Sequence, residues 1–317
     1  MQMRGLWNNT VITEFILLGF PASQIFHTFL FLIFFITYVL TVTGNLVIIA
    51  VIRADLHLHR PMYFFLSNFA FMQISYVTVT VPKLLIGCLV TQNKISISAC
   101  FCQCYFFFFL GGIENCLLAI MAYDRYVAIC SPLRYNSIMT QKFCLSLTCG
   151  CWLGIFLGSL IPVILLAKLS FCGPNIINHY FCDVSPLLKL SCTDTSLLKS
   201  FFFSLMWVIV FSCLLFTLVS YINIICAIMK ISSAVGRQKA FSTCGSHLTV
   251  VIIYFGAVIF MYVRPKESYA FEEDKLISVF YSILTPLLNP FIYCLRNKEV
   301  KEAVQKTVRN ARAPSMG

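Results

Sequence analysis

Long uncharged apolar runs alternate with short charged segments along this chain. The runs are Phe29–Ile52, Met62–Val81, Phe143–Ala167, Ser200–Met229, Ala240–Val263 and Leu276–Leu295. A further run, Ile95–Tyr123, contains one charged residue, Glu114. Each reaches the roughly 20 residues that an α-helix needs to cross a hydrocarbon layer of about 30 Å. In lipid the backbone must satisfy its own hydrogen bonds, so runs of this length are expected to be helical. The pattern predicts seven membrane-spanning helices, with the two termini on opposite sides.

Composition agrees with that reading. Of the 317 residues, 59% are hydrophobic and 11% charged, against about 25% charged in soluble domains. The distribution of Lys and Arg orients the bundle. The segments 53–60, 124–142, 230–239 and 296–317 carry 14 of the 23, and the opposite side carries nine. The positive-inside rule places the first set in the cytoplasm, which puts the amino terminus outside. The formal net charge of +11 is thus mostly cytoplasmic, which suits anionic lipid or an acidic cytosolic partner. The basic residues flank spans and form no separate domain, so nucleic acid is a poor partner. Residues 1–20 lack a compact apolar stretch after a basic start, so no cleavable signal peptide is expected. Asn8-Asn9-Thr10 is an acceptor motif for glycosylation at Asn8, on the side deduced to be external.

No internal repeat or low-complexity linker interrupts the chain. The expected organisation is an extracellular segment 1–24, a seven-helix domain 25–296 and a cytoplasmic segment 297–317. Connections are short except Lys168–Lys199, so consecutive helices should be antiparallel neighbours in a compact bundle. In Asn297–Arg309, Val300, Ala303, Val304 and Val308 recur at helical spacing among Lys298, Lys301, Lys306 and Arg309. That predicts a short amphipathic helix on the inner leaflet. The fold class is therefore all-α, a seven-helix membrane bundle with an amphipathic helix after helix seven.

Sixteen cysteines are present. Most fall in spans or face the cytosol, where they stay reduced. Cys172, Cys182 and Cys192 divide the long external loop, and Cys100 opens the third helix. Four cysteines allow three pairings. Cys102 and Cys104 lie close by, so spacing alone leaves even the helix-three partner open. No His or Cys grouping has zinc-ligand spacing.

Five motifs narrow the class. Leu58-His59-Arg60-Pro61-Met62-Tyr63 enters helix two, and Met121-Ala122-Tyr123-Asp124-Arg125-Tyr126 leaves helix three. Ser220-Tyr221 lies late in helix five, and Lys239-Ala240-Phe241-Ser242-Thr243-Cys244 with Ser246-His247 enters helix six. Pro286-Leu287-Leu288-Asn289-Pro290-Phe291-Ile292-Tyr293 closes helix seven. Together, from Gly44-Asn45 to Asn297, they closely resemble the vertebrate olfactory receptors among the rhodopsin-like G-protein-coupled receptors.

The resemblance implies pairings and roles. It implies a Cys100–Cys182 bridge holding the external loop over helix three, and a Cys172–Cys192 bridge within the loop. It implies that Arg125 is held by Asp124 at rest and released to a G protein when helix six swings out. Tyr126, Tyr221, His247, Asn289, Pro290 and Tyr293 belong to the same switch and coupling set. The implied partner is the stimulatory olfactory type of heterotrimeric G protein, which raises cyclic AMP. The family can hold sodium between Glu114 and an acid in helix two. Here the helix-two position is Gln73, so a lone buried carboxylate must take up either a proton or that cation. Otherwise no cofactor is implied.

Phe107, Phe108, Gly111, Gly112 and Asn115 fall on one face of helix three by their offsets. Paired glycines in a span either bring helices close or leave room for a ligand. The family's pocket lies at this depth. The matching residues are Leu205, Met206 and Ile209 on helix five, and Phe255, Val258, Ile259 and Tyr262 on helix six. The set is almost wholly apolar and carries no charge, so the implied ligand is a small neutral volatile odorant. The order Tyr254-Phe255-Gly256 departs from the family's usual Phe-Tyr-Gly, which is expected to carry a hydroxyl away from the pocket.

The chain has no nucleophile elbow, His-Glu metal motif or phosphate loop, so an enzyme is not expected. A transporter would call for inverted repeats and more buried charge. The rival closest in sequence is a non-signalling or ectopically expressed relative of the olfactory receptors.

Overall fold

The computed structural model describes residues 12–21, 23–172, 174–263 and 271–312. The spans are α1 (Gln24–Ala54), α2 (Pro61–Leu89), α3 (Ile97–Cys130), α5 (Gln141–Ala167), α7 (Ser196–Met229) and α8 (Ala234–Val263), with α9 (Phe271–Val279) and α10 (Thr285–Arg296) forming the seventh. Shorter helices are α4 (Tyr135–Ile138) and α6 (Val184–Lys189) in the loops and α11 (Lys298–Arg312) at the end. Six apolar stretches among the described residues are long enough to cross a membrane, and Cys244–Ile259 adds a shorter one in α8. The architecture is the expected seven-helix bundle. Phe29, Ile36, Leu153, Ile161, Leu215 and Ile222 point outward, so apolar side chains cover the outside as well as the core.

Helix three is the central post. Cys104, Ile113, Leu117, Leu118, Met121 and Ala122 are buried along it, and its neighbours are α2, α5 and α7. Two glycines permit close approach. A Cβ on Gly112 would sit 2.6 Å from Ile155 Cγ2 of α5, and one on Gly44 would sit 3.0 Å from Pro290 Cβ of α10.

The seventh span is not one regular helix. Between α9 and α10, Phe280–Leu284 form a π-turn. Pro286 has no N–H to continue the ladder. The Thr285 N–H and the Thr285 hydroxyl (3.0 Å) both reach the Phe280 carbonyl instead.

At one end of the bundle the structure adds a feature that the apolar pattern did not predict, a three-stranded sheet ordered β2-β1-β3. Strand β1 (Glu14–Leu17) runs antiparallel to β2 (Asn93–Ser96) and parallel to β3 (Ile176–Ile177). Ile95, read as the start of the third span, belongs to this sheet, and α3 begins at Ile97. After β1 the chain turns at Gly19, whose φ of 63° favours glycine. That turn sends Phe20 down to stack on Tyr180, 5.5 Å between ring centroids.

Helix α11 has the expected amphipathic character. Val300 and Ala303 are buried against the bundle, whereas Lys301, Lys306 and Arg309 are exposed. Glu299 pairs with Arg60 at 3.3 Å and accepts from the Tyr63 hydroxyl at 2.9 Å; Lys306 lies 3.4 Å from Asp55. The N–H of His57, with Lys306 behind it, holds the Asp55 carboxyl below its ordinary range.

Candidate functional site

The candidate site is built on the amino-terminal half of α3. Phe107 is buried and meets Phe181 at 4.5 Å, Tyr76 at 5.2 Å and Tyr281 at 6.2 Å between ring centroids. Phe108 is half-buried and packs edge-on against Phe202 of α7 at 4.7 Å. One turn lower, Gly111 faces the Tyr76 ring, 3.9 Å from where its Cβ would be. Gly112 instead faces Ile155 of α5. The paired glycines therefore divide, one looking into the bundle and the other closing a helix contact.

Asn115 forms the floor. Its Nδ2 donates to the Gly111 carbonyl at 2.8 Å and to the Tyr254 hydroxyl at 2.9 Å. The reordered Tyr254-Phe255 pair does not remove a hydroxyl from the interior, contrary to the expectation. Tyr254 is buried and directs its oxygen at helix three, and Phe255 beside it is buried as well.

The remaining pocket candidates separate by exposure. Leu205, Met206 and Ile209 are half-buried on α7, and Phe255 and Val258 are buried on α8. Ile259 is 38% exposed on the outer surface. Tyr262 lies in α8, but its side chain falls outside the described residues. Asn8 falls outside them as well.

A roof descends from the long loop between α5 and α7. Cys100 and Cys182 are bridged, as are Cys172 and Cys192, with Cα atoms 5.4 Å apart in each pair. Gln103 adds a second tie, accepting from the Cys182 N–H at 2.9 Å and donating to the Val79 carbonyl at 2.8 Å. His179, Tyr180 and Phe181 are consequently buried. The Tyr180 hydroxyl lies 2.9 Å from both Ser278 and Ser282 Oγ, on either side of the start of the π-turn. Burial, reinforced by Lys275, pushes the His179 imidazole down to about 3. The Phe181 N–H donates to His179 Nδ1 at 3.4 Å. Sequence reading missed this triplet, although a residue adjoining a cysteine tethered to α3 must land on α3.

Near the carboxy-terminal end of α3, Asp124 and Arg125 form a buried ion pair. The Tyr135 hydroxyl, also missed, donates to Asp124 Oδ1 at 2.7 Å. Burial, then the charge of Asp124, raises the Tyr135 phenol above its ordinary value. Tyr221 Oη and His247 Nδ1 are 2.7 Å apart, joining α7 to α8. Tyr126 is half-buried beside this contact. Asn289 and Tyr293 are buried, and Asn289 Nδ2 and Tyr293 Oη have no hydrogen-bond partner among the described residues. Glu114 lies beside Gln73. One Glu114 carboxyl oxygen and both polar atoms of the Gln73 amide have no partner among the described residues. Unpaired oxygens of this kind fit a small hard cation, although only one of the two side chains is an acid. Among the described residues no cluster of three or more His, Cys, Asp or Glu is placed to hold a metal.

Comparison with known proteins gives consistent matches. The family profile described as olfactory receptor matches residues 34–311. The chain is 51% identical over 310 residues to "Olfactory receptor 6B9" of Mus musculus, covering 98% of each. It is 52% identical over 297 residues to "Olfactory receptor 6A2" of Homo sapiens, covering 92% of this chain and 91% of that one. Among solved structures, squid rhodopsin superposes with a TM-score of 0.63 at 17% identity, covering 96% of this chain and 92% of the other. That similarity concerns the fold.

Proposed function

The chain belongs to the olfactory receptor family, and on that premise we propose that it detects a small, neutral, mostly apolar volatile molecule. The ligand sits in the outer half of the bundle between α3, α7 and α8. The receptor then activates the stimulatory olfactory type of G protein and raises cyclic AMP. It is a multi-pass membrane receptor and not an enzyme. It works at the plasma membrane, amino terminus outside, where Asn8 is available for glycosylation. One observation carries the reading: among the described residues Phe107, Phe108 and Phe202 pack together beneath a loop tethered to α3, Phe255 and Val258 are buried on α8, and none of these side chains is charged. Such a lining supplies burial and few directional contacts, which suits a small neutral guest.

At the inner end the Asp124–Arg125 pair is the resting latch, and Tyr126, Tyr221, His247, Asn289, Pro290 and Tyr293 carry the outward movement of α8. Glu114 is the seat of a sodium ion, its carboxylate and the Gln73 carbonyl oxygen being the oxygens offered. A sodium-dependent rise in melting temperature that Glu114→Gln abolishes supports the ion, and stability indifferent to sodium removes it. Coupling is tested in cells where surface staining is positive and the Gα subunit is exchanged. A ligand-dependent rise in cyclic AMP with the stimulatory olfactory subunit is expected. A response only through a different class of subunit overturns the coupling.

A further inference from the structure

Asn115 is a finished donor and an unfinished acceptor. Its two amide hydrogens are used, one by the Gly111 carbonyl at 2.8 Å and one by the Tyr254 hydroxyl at 2.9 Å. Its Oδ1 is buried with no hydrogen-bond partner among the described residues. The amide cannot be turned round to exchange the two roles. The Gly111 carbonyl only accepts, so turning the amide would set two acceptors against each other. What completes Asn115 is therefore a donor.

The position makes that donor a ligand's. Asn115 is one turn below Gly111, which has no side chain where it faces the Tyr76 ring, 3.9 Å from where its Cβ would be. The aromatic lining of Phe107 and Phe181 lies directly above. A guest that fills the apolar space and ends at its floor meets a carbonyl oxygen.

We infer that this receptor selects ligands bearing a hydroxyl hydrogen, small alcohols or phenols, and that Asn115 Oδ1 is the acceptor that selects them. The inference rests on the odorant-receptor reading and names the ligand class of that same site. Aldehydes, ketones, esters and ethers of the same skeleton bring only lone pairs to Oδ1 and leave it unpaired. A buried group built to hold a hydroxyl discriminates strongly against analogues that lack the hydrogen. Tyr254 is a positioning residue in this scheme. By accepting from Nδ2 it keeps Oδ1 turned toward the guest.

The test uses the full-length receptor in cells with matched surface staining. The probes are alcohols and phenols, each paired with its methyl ether and with the ketone or aldehyde of the same carbon skeleton. Wild type is expected to respond to at least one alcohol or phenol at a concentration roughly tenfold lower than to its partners, the size of one hydrogen bond. In Asn115→Leu that ratio is expected to fall to about one, with the response to the ether retained. Should the leucine variant fail to reach the surface, Tyr254→Phe serves. It frees one Nδ2 hydrogen, so the carbonyl partners gain potency relative to the alcohols. Equal or reversed potency in wild type overturns the inference alone, as does an alcohol preference unchanged in both variants. Silence toward every probe in surface-positive cells, with no thermal stabilisation of the purified receptor by any of them, overturns the odorant reading and this inference with it.

Discussion

At the scale of single residues, two neighbouring glycines of identical composition do different work. Gly112 is where α3 and α5 touch; a Cβ there would lie 2.6 Å from Ile155 Cγ2. That atom hangs directly from a branched Cβ and has little freedom to yield. Gly112→Ala is expected to cost about 1–3 kcal/mol, the usual penalty for overpacking. It should appear as a lower melting temperature of the purified receptor, recovered in part by adding Ile155→Ala. Gly111→Ala places its Cβ 3.9 Å from Tyr76, an ordinary contact, and should leave the melting temperature near wild type. Equal destabilisation by both changes would contradict the division. Sequence spacing put both glycines on one face, which was right to about a helical step of 100°. Only the packed neighbours separate the two. The same limit explains why the Asn115–Tyr254 hydrogen bond was not anticipated, since it depends on the rotation of α8 against α3. Tyr135 was missed for another reason. It reaches Asp124 from a separate short helix across eleven residues, and no periodic pattern encodes that contact.

At the scale of elements, helices were legible and the cover of sheet and loop was not. Apolar runs of 20 or more residues can satisfy backbone hydrogen bonds locally, so their pattern is written in consecutive sequence. The sheet joins Glu14 to Ser96 and Ile16 to Ile176, through strands of four, four and two residues. Nothing local announces such pairings. Helix α11 was legible because Val300 and Ala303 repeat at helical spacing, whereas the π-turn at Phe280–Leu284 was hidden inside a uniformly apolar run. The cover has a pH signature. His179 is held neutral, its folded value pushed down to about 3 by burial and then by Lys275, against about 6.5 when unfolded. A depressed histidine contributes stability that is complete above the unfolded value and drains away as pH falls toward the folded one. Acidification from neutrality to about pH 5 should therefore loosen the His179-Tyr180-Phe181 segment by roughly 2 kcal/mol. Hydrogen exchange of the loop amides is the readout, and His179→Gln should flatten the profile. A profile already flat in wild type, or equally steep in the variant, would contradict it.

At the scale of the whole molecule, hydrophobic pattern was sufficient for the architecture. Seven apolar runs gave seven spans before any motif was used. Motifs then gave the family, which the match over residues 34–311 bears out. What the chain binds was less legible, because a pocket is a property of several helices at once. The lining proposed above draws on α3, α7, α8 and the tethered loop, and no one of them is unusual alone.

The central claim is that an uncharged volatile molecule, seated between α3 and α7 beneath the tethered loop, drives signalling inside the cell. The most direct measurement is cyclic AMP in cells carrying this receptor and the stimulatory olfactory G protein, across a panel of neutral volatiles. Wild type and Phe108→Ala are compared at equal surface level, since Phe108 bridges to Phe202 at 4.7 Å. A dose-dependent rise in wild type, shifted at least roughly tenfold by the loss of that ring, is the result expected. A wild-type response untouched by Phe108→Ala, or no response across a wide panel despite full surface staining, would contradict the account.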